Sequence, residues 1–237
     1  MKVNLDFGVE GAIKASLRGD IIVVIDVLRA SSTISTALYN GAEEVVVVEK
    51  IEDALKLAEK CSECILAGER RGIKIEGFKL GNSPLEFSKD VVLGKTIVFT
   101  SSNCAPIIEA AKNAPIILLG CFLNLSSTTS YILNLLERYG NNVTIIYAGR
   151  YGKPCSDDLL CAEILYGLIK GEISQPPLSM IIKNFLQLTP SGRYLISIGH
   201  LEDVLYCGEV DKLTIVPVKM KHSSGFKIIN VDDLLTL

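Results

Sequence analysis

The run Ile21–Ile25, IIVVI, contains no polar residue and leads directly into Asp26, Arg29 and the hydroxyl series Ser31, Ser32 and Thr33. A short β-branched apolar run without alternation reads as a strand buried on both faces, and such a strand needs helices above and below its sheet. The hydroxyl residues can open a helix whose N-terminus stands beside Asp26 and Arg29, an arrangement suited to holding phosphate. Function is therefore sought at the rim of that sheet.

The same alternation runs on through the chain. Apolar strands are expected at Val45–Val48, Cys64–Ala67, Thr96–Thr100, Ile116–Leu119 and Val143–Ala148, between helical patterns such as Ser31–Asn40 and Glu52–Lys60. This order predicts an α/β fold, three-layer α/β/α with a mostly parallel or mixed central sheet. Gly41 and Gly140 stand where helices should stop. Gly171–Pro177, GEISQPP, reads as a linker. Residues 178–237 are expected to extend the same core with two helices and the strands Leu213–Lys219 and Phe226–Asn230, so that 1–237 forms a single domain.

Composition narrows the function class. The apolar runs fall short of the ~20 residues of a membrane helix, and the opening MKVNLDFG lacks the pattern of a secretory signal. A cytoplasmic protein without a membrane partner is expected. Seven cysteines, an odd number, read as thiols of a reducing compartment, and the pair Cys61 and Cys64 has no second CxxC to complete a metal site. A net charge of -3 with interspersed bases argues against nucleic acid.

Strand ends meeting small polar residues recur at Asp26–Thr33, at Ser101, Ser102 and Asn103, and at Asn124–Thr129. In an open α/β sheet such junctions gather at one edge, so Ser31, Ser32, Ser101, Ser102, Asn103 and Asn124 are candidate substrate contacts. Plain helix capping accounts for any one of them equally well. The glycine-rich stretch Ala67–Pro84 adds Glu69 and Arg70, then Asn82 and Ser83 in a turn able to offer donors to an anion. In Tyr147–Glu163, Asp157 and Asp158 precede a helix, and Asp158 suits either a metal or a cap.

Several phosphatase chemistries are excluded by spacing. Leu28 stands where a DxD aspartyl-nucleophile enzyme needs its second carboxylate, and the two histidines lie late in the chain. No GxxxxGK[ST] loop is present. The acids and arginines that remain fit Mg2+ held by one or two carboxylates beside a substrate phosphate.

The segments IDVLRASSTISTAL, LAGERRGIKIEGFKLGNSPLEF, LLGCFLN and AGRYG with DDLLCAE resemble the 2-phosphosulfolactate phosphatase family, magnesium-dependent enzymes of coenzyme M biosynthesis. The resemblance implies hydrolysis of (2R)-O-phospho-3-sulfolactate to 3-sulfolactate and phosphate, and a homodimer. It implies Asp26, Arg29, Glu69 and Arg70 as catalytic residues, with Asp26, Glu69 and Asp158 on the metal and Asn82 and Ser83 in a pocket-lining turn. Whether Asp26 attacks phosphorus or only ligates metal stays open. The chain departs from the family's TTNGT-like pattern at Ser101–Ala105. A binding protein that holds a phosphorylated metabolite without hydrolysing it, and an isomerase or lyase using the same anion pocket, are the competing readings.

Overall fold

The computed structural model describes residues 2–228 apart from 62, 141, 222 and 223. The N-terminal part runs β1 (Val3–Phe7), α1 (Gly8–Leu17), β2 (Ile21–Ile25), α2 (Ala30–Tyr39), β3 (Glu44–Val47), α3 (Ile51–Glu59), β4 (Ile65–Arg70) and β5 (Ile73–Lys74). It continues with α4 (Lys89–Val92), β6 (Thr96–Thr100), α5 (Cys104–Ala110), β7 (Ile116–Gly120), α6 (Leu125–Tyr139), β8 (Val143–Tyr147) and α7 (Ser156–Lys170). The last part holds α8 (Ser179–Leu188), α9 (Pro190–Ser197), α10 (Leu201–Cys207), β9 (Pro217–Met220) and β10 (Lys227–Ile228).

Two mixed sheets with helices on both sides form the three-layer α/β/α arrangement. One has the order β1-β8-β2-β7-β9-β10, parallel through its first four strands, and the other the order β3-β6-β4-β5. Residue Phe226 exchanges both backbone hydrogen bonds with Val45 while Lys227 and Ile228 pair with β9, so one short segment stitches the sheets together.

Strand β2 shows why the run at Ile21 had to be apolar throughout. Ile22 and Val24 pack with Ala12, Ile34 and Ile107 of α1, α2 and α5, while Ile21, Val23 and Ile25 pack with Ile132 and Leu165 of α6 and α7. Alternate residues enter opposite cores. Each buried side chain of this kind contributes roughly 1.5–3 kcal/mol. Among the described residues, no helix is long and apolar enough to cross a membrane.

Some expectations change. Strand β1 and helix α1, together with the two-residue strand β5, were not anticipated, and the segment after the linker holds three helices where two were expected. Leu213–Val216 is not strand; Leu213 bonds to the carbonyl of Leu123 and packs beside Cys121, and pairing with β7 starts only at Val218. Ile229 and Asn230 of the last expected strand, with the rest of the chain to 237, lie outside the described residues. Cys61 and Cys64 form a disulfide instead of remaining thiols, since the chain leaving α3 brings their Cα atoms to 5.4 Å, within bridging range. The other five cysteines are free, and Cys121 and Cys161 are fully buried.

Gly68 sets the approach of β4 to β6. Its φ is +146°, and a Cβ there would lie 2.1 Å from the carbonyl oxygen of Thr100. Gly140, by contrast, caps α6 at φ +65° with open space around it. Gly140→Ala is expected to cost about 1 kcal/mol and Gly68→Ala several-fold more, read from urea unfolding of the two variants side by side.

Candidate active site

The carboxyl ends of β2, β4, β6 and β8 surround one cleft of about 510 Å³, counted to its open mouth. Asp26 and Arg29 reach it from β2, Glu69, Arg71 and Gly72 from the β4–β5 turn, Ser102 and Asn103 from β6, and Gly149 to Asp158 from the loop after β8. Asn82 lines it too, as do Ser191 and Tyr194 of α9.

The floor is acidic and its carboxylates are almost fully buried. Asp26 accepts the N–H of Ala30 on Oδ1, and Asp158 accepts those of Val27 and Gly149 on its two oxygens, at 2.8 and 2.9 Å. Glu69 takes Ser102 N–H on Oε1 and Gly72 N–H on Oε2, and Asp157 takes the hydroxyl of Ser191. These bonds do not balance the burial. Burial, with the charges of Glu69 and Asp157, pushes the Asp26 carboxyl up to about 7. Burial likewise raises Asp157 and, reinforced by Asp157 and Asp26, raises Asp158 further. Burial beside both aspartates drives the Cys155 thiol upward.

Ligand atoms of Cys155, Asp157 and Asp158 all lie within 4.8 Å of one another. Carboxylates shifted toward their neutral forms by desolvation and mutual repulsion are suited to a divalent cation, which would favour their charged forms. The donor set therefore fits such an ion. Asn82 Oδ1, buried in the wall, has no hydrogen-bonding partner among the described residues.

Arg29 is fixed from behind. It forms a buried ion pair with Asp203 of α10 and donates to the carbonyl of Gly72 at 2.8 Å. Asp203 also accepts the Ser83 hydroxyl and lies 3.0 Å from His200 Nδ1. The guanidinium is thereby oriented with N–H groups left for the cleft.

Of the residues singled out in the sequence, Asp26, Arg29, Glu69, Asn82, Ser102, Asn103 and Asp158 meet in the cleft. The others are placed elsewhere. Ser31 accepts the N–H of Asp26 and Ser32 bonds to the carbonyl of Val27, both fully buried, so they shape the junction. Ser83 holds Asp203, and Ser101 caps the amide of Ala105. Asn124 is consumed by Cys121, Leu119 and Ile215 at the end of β7. Arg70 turns away, donating to Glu49, Thr100 and the carbonyl of Glu69. Alternation along β4 puts Glu69 and Arg70 on opposite faces, and Arg71, past the strand end with φ of 56°, comes back to the cleft through the turn. That signal was in the sequence; Ser191, Tyr194 and Asp203 left none.

An α/β protein with a carboxylate floor fit for a divalent cation and arginines at the same strand ends belongs among proteins that handle phosphorylated or other anionic small molecules. The comparisons narrow that class. Residues 9–222 match the family model described as 2-phosphosulpholactate phosphatase, and the chain belongs to that family. A relative from Caldanaerobacter subterraneus, named probable 2-phosphosulfolactate phosphatase, is 38% identical over 216 residues, covering 85% of this chain and 88% of the relative. Proteins of the same name from Clostridium acetobutylicum and Clostridium novyi are 34% and 35% identical, each across 92% of this chain and 97% and 96% of their own.

Two outcomes are expected. Unfolded, Asp26 titrates at the ordinary 3.8, and folded at about 7; between these the unfolded chain releases a proton that the folded chain keeps, so stability falls as pH rises through that window. In EDTA, the stability difference between wild type and Asp26→Asn should shift against wild type from pH 4 to 7 by a few kcal/mol, and added Mg2+ should diminish it, as read by thermal melts. Asp203→Asn, which strands Arg29 without its counter-charge, is expected to cost about 3–5 kcal/mol in chemical unfolding.

Proposed function

We propose that this protein is a Mg2+-dependent phosphatase hydrolysing (2R)-O-phospho-3-sulfolactate; its relatives are named probable 2-phosphosulfolactate phosphatase. The observation that carries the reading is the meeting of Asp26, Arg29, Glu69 and Asp158 from three strand ends in one cleft. Asp26, Asp157 and Asp158 would hold the metal, with Glu69 at its edge. When bound, the ion would neutralise phosphoryl charge and favour displacement at phosphorus.

The chain's own residues supply the rest. Arg29, braced by Asp203, offers fixed donors where charge develops on the phosphoryl oxygens, and pre-oriented donors are effective because nothing reorganises during the reaction. The N-termini of α2 and α7 lie at the cleft-lining residues Arg29 and Asp157 and favour negative charge beside them. Asn82 adds a polar contact in the wall. Glu69 ties Gly72 to Ser102 and so holds two walls of the cleft at one spacing. This bonding suits Glu69 to positioning more than to metal ligation. The departure at Ser101–Ala105 is absorbed there: Ser102 offers both N–H and hydroxyl to Glu69.

The described residues between 178 and 228 are proposed as part of the same core, supported by Asp203 on Arg29, Ser191 on Asp157 and Phe226 on Val45. A cytoplasmic setting follows from a small phosphorylated metabolite as substrate.

Phosphate release from phosphosulfolactate is the test. Turnover with Mg2+, its loss in EDTA, and a fall of about a hundredfold or more in Asp26→Asn are expected. Stabilisation by the substrate without any phosphate release would return the protein to the binding-protein reading.

A further inference from the structure

Two arginines at the mouth of the cleft have no part in the phosphoryl chemistry. Arg71 is exposed at the β4–β5 turn, where Arg71 and Gly72 have φ of 56° and 79°. Across from it, Tyr151 and Gly152 have φ of 52° and 73° in a turn closed by the hydrogen bonds between Arg150 and Lys153. Paired positive φ values are the mark of tight two-residue hairpin turns. Both loops are thus short and rigid, and each carries an arginine at the rim.

Tyr194 of α9 joins them. Its hydroxyl donates to the carbonyl of Arg71 at 2.7 Å, and its ring lies 4.0 Å beneath the guanidinium carbon of Arg150. Tyr151 approaches the same guanidinium at 5.2 Å and is itself tied by its N–H to Asn103. A guanidinium stacked on an aromatic face keeps its planar N–H edge free for an oxyanion. Among the described residues, neither arginine makes an ion pair with a carboxylate, although Arg150 is near enough to Asp157 to draw its carboxyl downward.

We infer that Arg71 and Arg150 form a specificity subsite for the second anionic group of the substrate, a sulfonate or carboxylate on the carbon chain, separate from the phosphoryl site at the floor. This rests on the function proposed above. Charge divides the cleft: the floor takes a cation, and the rim needs an anion to balance two unpaired guanidinium groups. A phosphate monoester without such a tail leaves the rim unfilled. Because the contact lies away from phosphorus, it is made equally in ground and transition states, and its loss appears in KM.

The experiment compares phosphosulfolactate, phospholactate and glycerol 2-phosphate, which carry two, one and no tail anions, on wild type, Arg71→Gln, Arg150→Gln and Arg150→Lys. Wild-type kcat/KM should fall along that series. Each Gln variant should raise KM for phosphosulfolactate by about ten- to a hundredfold with kcat little changed, leave glycerol 2-phosphate at the wild-type value, and keep the wild-type melting temperature. Arg150→Lys should recover part of the loss. A penalty confined to phosphosulfolactate identifies the sulfonate as the group read, and one shared with phospholactate identifies the carboxylate. An equal loss on all three esters, or a wild type indifferent to the tail, overturns the subsite. If wild type turns over none of them, the proposed reaction fails by itself. The subsite is then judged by 3-sulfolactate alone: a rise in melting temperature confined to wild type supports it, and no rise overturns it.

Discussion

Four carboxylates held together out of water repel one another and lose hydration, and the fold around them is arranged against that cost. Each takes its hydrogen bonds from a different part of the chain: Asp26 from the start of α2, Asp158 from the ends of β2 and β8, Glu69 from the β4–β5 turn and the end of β6, Asp157 from α9. A carboxylate bonded to several N–H groups tolerates burial better than a bare one. The acids therefore locate the loops as much as the loops locate the acids. The compensation stops short, since Asp26, Asp157 and Asp158 are all still shifted toward their neutral forms. What the floor lacks is positive charge, and a divalent cation is the most compact way to supply it.

Arg29 sits beside this floor, paired from behind with Asp203. Its partner Asp203 comes from α10, far along the chain, and also gathers Ser83 and His200. A buried pair of this kind adds little net stability, because two desolvated charges offset much of their own attraction, yet removing either partner is severe. Its value is geometric. It fixes a guanidinium at the end of β2 and locks the helices after the linker onto the turn that carries Asn82 and Ser83. The C-terminal segment is thus part of the site's construction, with α9 supplying Ser191 to Asp157 and Tyr194 to the rim.

The layered fold was legible because apolar runs such as Ile21–Ile25 and Ile116–Leu119 leave no polar face for solvent, and only an internal strand satisfies that pattern. Edge strand β1 was harder to see: with partly exposed residues and an aspartate inside it, its pairing depends on β8, a partner about 140 positions away. At the site, Asp26, Glu69 and Asp158 were legible as acids at strand ends. The hydroxyl residues Ser31, Ser32 and Ser101 satisfy backbone groups at their own junctions, as such residues commonly do. Asn124 shows the limit of counting junctions. It ends a strand of the same sheet, but its amide meets three backbone groups there and is used up.

The choice between Arg70 and Arg71 shows how a one-residue parity decides function. Glu69 faces the cleft to reach Ser102 and Gly72, so its strand neighbour Arg70 faces outward, while Arg71 lies past the end of β4 and is brought back to the cleft by the positive-φ turn. A chain of net charge -3 with acids at the bottom of its cleft would repel a polyanion approaching from solution. Guanidinium groups at the mouth reverse the local field, and fields at the entrance of a low-dielectric cleft act on a ligand well before contact. Under the proposed function, basic rim over acidic floor is the order a phosphorylated acid would require: it would first meet cations fixed in the protein, and would reach the carboxylates only where a bound ion separates the two negative charges.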